Sequence, residues 1–162
     1  QALEAILRAH YLAGASDTRI AAVYALIKSG EVLSRQARGA GRRSDFPHLQ
    51  RITEQLFAMT SAAWPRLLLA EQMLGTGISN GYVLRWVSKR LSEAEAAEPE
   101  RHETHLLWGL FHLYSRAGRE KVLASWRKAK ELGAKPSLLR TVGKLYERTF
   151  GGRDEAFEEL LR

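Results

Sequence analysis

A chain of 162 residues with 45% apolar content is long enough for one domain with a real core, and it is globular rather than disordered in composition. It has no cysteine, which excludes disulfides, cysteine-ligated zinc and thiol catalysis together and fits a reducing compartment. Lys and Arg number 25 against 18 Asp and Glu, a formal net charge of +7 with a pI near 10.0. Such an excess suits contact with a polyanion, most often nucleic acid, although solvated surface charge would produce the same count. No apolar run reaches the roughly 18 residues of a membrane span, and the longest, Trp64 to Ala70, is interrupted by Pro65 and Arg66. The chain opens on Gln1 rather than Met, which reads as a fragment or a processed protein.

In chain order, residues 2–13 form a helical pattern with Leu3, Ile6, Leu7 and His10 on one side and Gly14 as its stop. Ser16 and Asp17 are caps for a second helix, because a short side-chain oxygen accepts from the free amides of a first turn. That helix carries Ile20, Val23, Tyr24 and Ile27; Gly30 is its first stop, with Val32 to Arg38 as an extension. The segment GAGRRSD (39–45) reads as a basic loop holding Arg42 and Arg43. Asp45-Phe46-Pro47 opens a helix with Leu49, Ile52, Leu56 and Met59 as its stripe, proline being welcome in a first turn. Trp64-Pro65 starts another, with Leu68, Leu69 and Met73 inside and Gly75 and Gly77 at its end. Ser79-Asn80 caps a helix bearing Tyr82, Val83, Trp86, Val87 and Leu91, whose acidic tail stops at Pro99.

The stretch Leu107 to Pro136 is the most informative. Leu107, Leu110, Phe111 and Tyr114 recur at i, i+3, i+4 and i+7, one apolar stripe of a helix. Ala117-Gly118 is the expected turn, since glycine accepts the left-handed conformation after a helix. Val122, Leu123, Trp126 and Ala129 mark a second helix, which Gly133 ends and Pro136 forbids to continue. Ser137 caps a helix with Leu138, Leu139, Val142, Leu145 and Tyr146; Gly151-Gly152 breaks it; Asp154 to Arg162 is a last short helix with Ala156, Phe157, Leu160 and Leu161. Two helices this short cannot cover their own stripes and need a similar pair stacked beside them. AHYLAG (9–14) parallels LYSRAG (113–118), and LIKSGEVLS (26–34) parallels KELGAKPS (130–137), which is a weak internal repeat.

The stretch FHLYSRAGREKVLASWRKAKELGAKPS resembles a pentatricopeptide repeat, with an alanine-glycine turn followed by a helix ending in glycine and a downstream proline. Residues 57–80 have the same outline, including a Met-x-x-x-Gly-Ile-x-Asn tail. The tetratricopeptide family is similar as well, since Leu139, Val142, Gly143 and Tyr146 fit its first-helix pattern and its length is about 34 residues. Either resemblance implies stacked helical hairpins. The pentatricopeptide one implies RNA read base by base and an organellar setting, mitochondrial or plastid. Counting back from Gly118 puts Trp108 at the base-reading position, and the next unit puts Arg140 there. Neither is the small polar reader of that family, so the resemblance implies contact with the RNA backbone or with protein.

Catalytic and metal constellations are not expected. His102, His105 and His112 lie on or near one helix, but HETH spaces its histidines three apart where a shared metal needs four, so surface or helix-start histidines are the reading. GAGRRS lacks the lysine and the strand–helix setting of a phosphate loop, and no serine sits in a Gly-x-Ser-x-Gly elbow. The four tryptophans, Trp64, Trp86, Trp108 and Trp126, belong to apolar stripes. The basic residues remain: Arg42 and Arg43 in the loop, and Arg51, Arg85, Lys89, Arg90, Arg140 and Lys144 on helices that would come first in each hairpin and line a concave surface. Arg127, Lys128, Lys130 and Lys135 belong to a second helix and the loop after it.

The expectation is therefore an all-α chain of about eight helices in stacked antiparallel hairpins, an α-solenoid segment forming one domain over 1–162. Its sub-units are read at 1–38, 45–80, 81–136 and 137–162, with a flexible basic loop at 39–45. The expected role is a non-enzymatic, RNA-associated repeat protein of an organellar ribonucleoprotein, soluble and intracellular, holding phosphates through the eight basic residues above, with no cofactor, metal or small-molecule substrate. The alternative is a tetratricopeptide-type scaffold that binds protein subunits of a larger assembly.

Overall fold

The computed structural model describes residues 18–37, 45–75 and 81–162, and these are all-α, without strand. We number the helices in chain order: α1 Thr18–Ala37, α2 Asp45–Met59, α3 Ala63–Gly75, α4 Gly81–Ala97, α5 His102–Tyr114, α6 Arg119–Glu131, α7 Pro136–Phe150 and α8 Glu155–Leu161. The helix expected over 2–13, the basic loop and the Ser79-Asn80 cap lie outside the described residues. The chain divides into two compact units, residues 1–78 and 79–162.

In the first unit α1, α2 and α3 pack on one another. Gly30 does not stop α1, which runs through it to Ala37. The proposed equivalence of Gly30 with Gly133 therefore fails, because Gly133 has φ +93° at the end of α6 while Gly30 lies inside a helix. A residue without a Cβ suits position 30 for another reason: a Cβ there would stand 3.2 Å from Nε2 of Gln72 on α3. That amide donates to the Leu26 carbonyl at 3.0 Å, and the Ser29 hydroxyl donates to the Gln72 side-chain oxygen, tying α1 to α3. Arg35 closes α1 on α2 through two bonds to the buried Asp45, at 3.0 and 3.3 Å. Leu49, Ile52 and Leu56 are buried as their spacing predicts, whereas Val23, Met59 and Leu68 are exposed.

The second unit is built from hairpins. α4 packs on α5. α5 and α6 form the most extensive pair, α7 and α8 form another, and α5 meets α7 while α6 meets α8. First helix against first and second against second is the arrangement of a helical repeat, in which each pair covers the stripe its neighbour leaves open. The α5/α6 pair, joined by the short turn 115–118 and packed together, is antiparallel, and near its middle Trp126 of α6 donates from Nε1 to the carbonyl of Leu106 of α5 at 3.2 Å. Trp126 is fully buried, with ring centroids 6.0 Å from Tyr146 and 5.9 Å from Phe157 of the next hairpin.

Two glycines 34 residues apart (109 and 143) set this packing. A Cβ at Gly109 would collide with the Trp126 indole, and one at Gly143 with the Phe157 ring. Each hairpin thus lets an aromatic of its second helix sit against bare backbone of its first. Glycine inside a helix costs about 1 kcal/mol relative to alanine, and close packing is what offsets it here.

Local ends differ from the sequence reading in two places. The left-handed residue after α5 is Arg116 (φ +55°), not Gly118, which instead stands at the start of α6 with φ +96°. α7 begins at Pro136 with Lys135 as its cap position, so Ser137 lies inside the helix rather than capping it. Proline is at home there, since its missing N–H is one the first turn leaves unpaired anyway.

Candidate nucleic-acid interface

α7 presents the most one-sided surface of the second unit. Leu139, Gly143 and Tyr146 face the core. On the opposite side Arg140, Lys144 and Arg148 are all exposed, at i, i+4 and i+8. Four residues of helix rise about 6 Å and turn about 40° past a full circle, so the three cations form a slanting row that drifts toward the Thr149 side. None has an acidic partner among the described residues. The helix carries one acid, Glu147, and Arg153 is paired with it.

Round the C-terminal turn of α7 from the row lies a groove of about 550 Å³ lined by Leu113, Tyr114, Arg116, Gly118, Thr149 and Phe150. Behind its Phe150 side a polar cluster holds the turn between α7 and α8. Asp154 caps α8 by accepting from the Phe157 amide at 2.9 Å, and it also accepts from the Tyr146 hydroxyl at 2.8 Å. Arg119 pairs with Asp154 at 2.8 Å and lays its guanidinium over Phe150, 5.1 Å from the ring centroid. Burial, and then the bond to Asp154, raises the Tyr146 hydroxyl above its ordinary range. Burial alone would raise the Asp154 carboxyl; the bonds from Tyr146 and the Phe157 amide and the charge of Arg119 outweigh it and hold the carboxyl below its ordinary value.

The basic positions expected from sequence divide as follows. Arg140 and Lys144 come together on α7, and Arg148 completes their row; plain four-residue spacing would have found it. Arg85 and Lys89 are exposed on α4, which packs on α5 and makes no contact with α7, so α5 lies between these two basic helices. Arg51 is exposed on α2 of the first unit. Arg42 and Arg43 lie outside the described residues. Arg90 must be corrected: it is 4% exposed, its guanidinium lies 5.4 Å from the Trp86 ring centroid, and NH1 donates to both oxygens of Glu93 at 3.0 and 2.8 Å. Its charge serves α4, with an aromatic face four residues before it and an acid three after. Lys128 is held by Glu131 at 3.6 Å, and Lys130 by the carbonyl of Glu159 at 3.3 Å.

Of the surface or helix-start reading of the histidines, the helix-start part fits His102, which opens α5, and the surface part is corrected for the other two. His105 is 8% exposed, and His112 is half-buried and stacked on Trp108 at 5.7 Å. Burial, and then the charge of Lys121, lowers the His112 pKa. Trp108 itself donates to Glu95 of α4 at 3.0 Å, so the residue at the base-reading position is engaged in helix packing. No family model, curated protein or solved structure matches this chain. Among the described residues no three His, Asp or Glu side chains gather as metal ligands, and no helix is long and apolar enough to cross a membrane.

Proposed function

We propose that this chain is a non-catalytic, RNA-associated helical-repeat protein that holds the sugar-phosphate backbone along α7. The observation that carries the reading is the unpaired row Arg140–Lys144–Arg148. An outer helix of a repeat array needs a polar face for solubility, and mixed charges would serve that need. Like charges at i, i+4 instead cost a few tenths of a kcal/mol per pair, and this helix carries two such pairs in succession. A polyanion lying along the row relieves that repulsion and releases its own counterions. With Trp108 packed on α4, contact with phosphates is favoured over base reading along the repeats. An organellar ribonucleoprotein is the setting that the pentatricopeptide resemblance implies.

The test is a titration with several unrelated single-stranded RNAs at two salt concentrations. Affinity should fall with salt at a log–log slope near −0.7 per phosphate contact. The triple substitution of Arg140, Lys144 and Arg148 by alanine should weaken all the RNAs alike and flatten the slope by about two units. Salt-insensitive binding of one sequence alone would overturn the phosphate-grip reading. A second reading, a scaffold for protein partners, draws on the groove of about 450 Å³ between α6 and α8, where Ala156 and Leu160 lie among Arg127, Lys130, Glu131 and Glu159. An apolar floor rimmed by both signs of charge suits a peptide, and absence of RNA binding at low salt would favour it.

A further inference from the structure

We infer that the groove at the foot of α7 holds a nucleobase of the same single strand whose phosphates lie on the Arg140–Lys144–Arg148 row; this rests on the RNA reading above. Thr149, the residue after Arg148, lines the groove beside Phe150, so a strand lying on the row reaches the groove by crossing the C-terminal turn of α7. Tyr114 supplies the aromatic wall, half-buried with ring surface left for a planar ligand; Phe150 backs the groove, its own ring covered by Arg119 and packed on Tyr146 at 4.8 Å. Base stacking on such rings is tolerant of sequence because every base has a π-face.

The two arginines nearby play different parts. Arg119 is neutralised by Asp154 and spread over Phe150, so it braces the wall. Arg116 is exposed, lines the groove and has no acidic partner among the described residues. It also holds φ at +55°, a conformation that glycine or asparagine adopts far more readily. A cation kept in a strained turn position, at the mouth of an aromatic groove, is placed for the phosphate attached to the stacked base. The Tyr114 hydroxyl makes no hydrogen bond among the described residues, so it can donate to a sugar or phosphate oxygen beside the stacked base.

The full chain, with each variant checked for an unchanged helical spectrum, is titrated with a single-stranded RNA oligonucleotide and with inorganic polyphosphate of similar charge. Tyr114→Leu keeps the apolar bulk and removes the ring and hydroxyl. It should weaken RNA roughly fivefold or more and leave polyphosphate affinity unchanged. Arg116→Gly suits the positive φ and removes the cation; it should weaken both ligands and melt no earlier than the parent chain. If Tyr114→Leu alters neither affinity, or both equally, the groove does not hold a base. If the triple alanine variant of the row still abolishes RNA binding in that case, the phosphate grip stands without the groove. If the parent chain binds neither ligand at low salt, both proposals fall.

Discussion

The two hairpins of the second unit share a packing rule and differ in what holds them. In α5/α6, Gly109 admits Trp126, and α6 is a 13-residue helix with no side-chain cap, its cap position being Gly118. In α7/α8, Gly143 admits Phe157, and α8 has only seven residues. The long helix is secured by burial, since Val122, Leu123, Trp126 and Ala129 are all fully or nearly fully enclosed. The short one buries Phe157 and Leu160 and adds the Asp154 cluster, which caps α8 and anchors Tyr146 and Arg119 at once. A seven-residue helix is far below the length at which helices hold themselves, so polar capping matters more where apolar area is scarce. Their equivalent first-helix positions differ too. Leu106, Leu110 and Tyr114 on α5 stand 34 residues before Arg140, Lys144 and Arg148 on α7. Leu106 and Leu110 belong to the core, while the three cations are exposed. The repeat thus preserves the glycine–aromatic joint, while positions that pack on α5 become a charged exposed face on α7.

Trp126→Ala tests the burial-held hairpin and carries the largest expected effect. Removing a buried aromatic costs about 3–5 kcal/mol, read as a fall in the denaturant midpoint at constant slope. Because Trp126 also touches Tyr146 and Phe157, the loss should extend to α7/α8 and appear as one cooperative transition in the second unit. A loss below about 1 kcal/mol would mean that the indole is not the joint between the hairpins.

Gly109→Ala and Gly143→Ala test the shared rule. On an open helix either change would stabilise by about 1 kcal/mol. Here each must displace an aromatic ring, and overpacking of this kind costs about 1–3 kcal/mol. Gly75→Ala is the control: a Cβ there meets nothing within 4 Å, and Gly75 is the last residue of α3, where the gain of a helix interior does not apply in full; it should change stability by no more than about 0.5 kcal/mol. If Gly109→Ala and Gly143→Ala behave like Gly75→Ala, the glycines do not define the repeat.

The fold was largely legible in the sequence because the apolar stripes of α5, α6 and α7 recur at helical spacing and glycines with positive φ mark the ends of α6 and α7. The joints were less legible. Gly109 and Gly143 sit inside good helical patterns, where a glycine costs stability and so signals a close approach; which side chain approaches is a tertiary fact. Arg90 had a readable signal, an aromatic and an acid on its own face of α4, that a count of basic residues overlooks. Arg116 had none, because sequence favours glycine for a left-handed turn and Gly118 stands two residues on. In the candidate site Arg140 and Lys144 were legible as charge, whereas the groove depends on the ends of α5 and α7 meeting.

The smallest effect concerns the polar cluster of the second hairpin, and its pH dependence separates it from plain packing. The Asp154 carboxyl is held below its ordinary value by donors that exist only in the folded chain. A group with a depressed folded pKa contributes stability above its unfolded pKa, near 4 for aspartate, and loses it as pH falls through the folded value. Asp154→Asn keeps the size and an acceptor for the Phe157 amide but removes the charge that attracts Arg119 and Tyr146. At pH 7 it should cost about 1–2 kcal/mol, the range of one charge-assisted hydrogen bond, discounted because the carboxyl is partly exposed. As pH is lowered below about 4, the parent chain loses this contribution and the two melting curves should converge. Trp126→Ala should show no such convergence, since its loss is apolar. If the gap between parent and Asp154→Asn stays constant down to pH 3, the cluster acts through shape rather than charge, and the two hairpins are held by the same means.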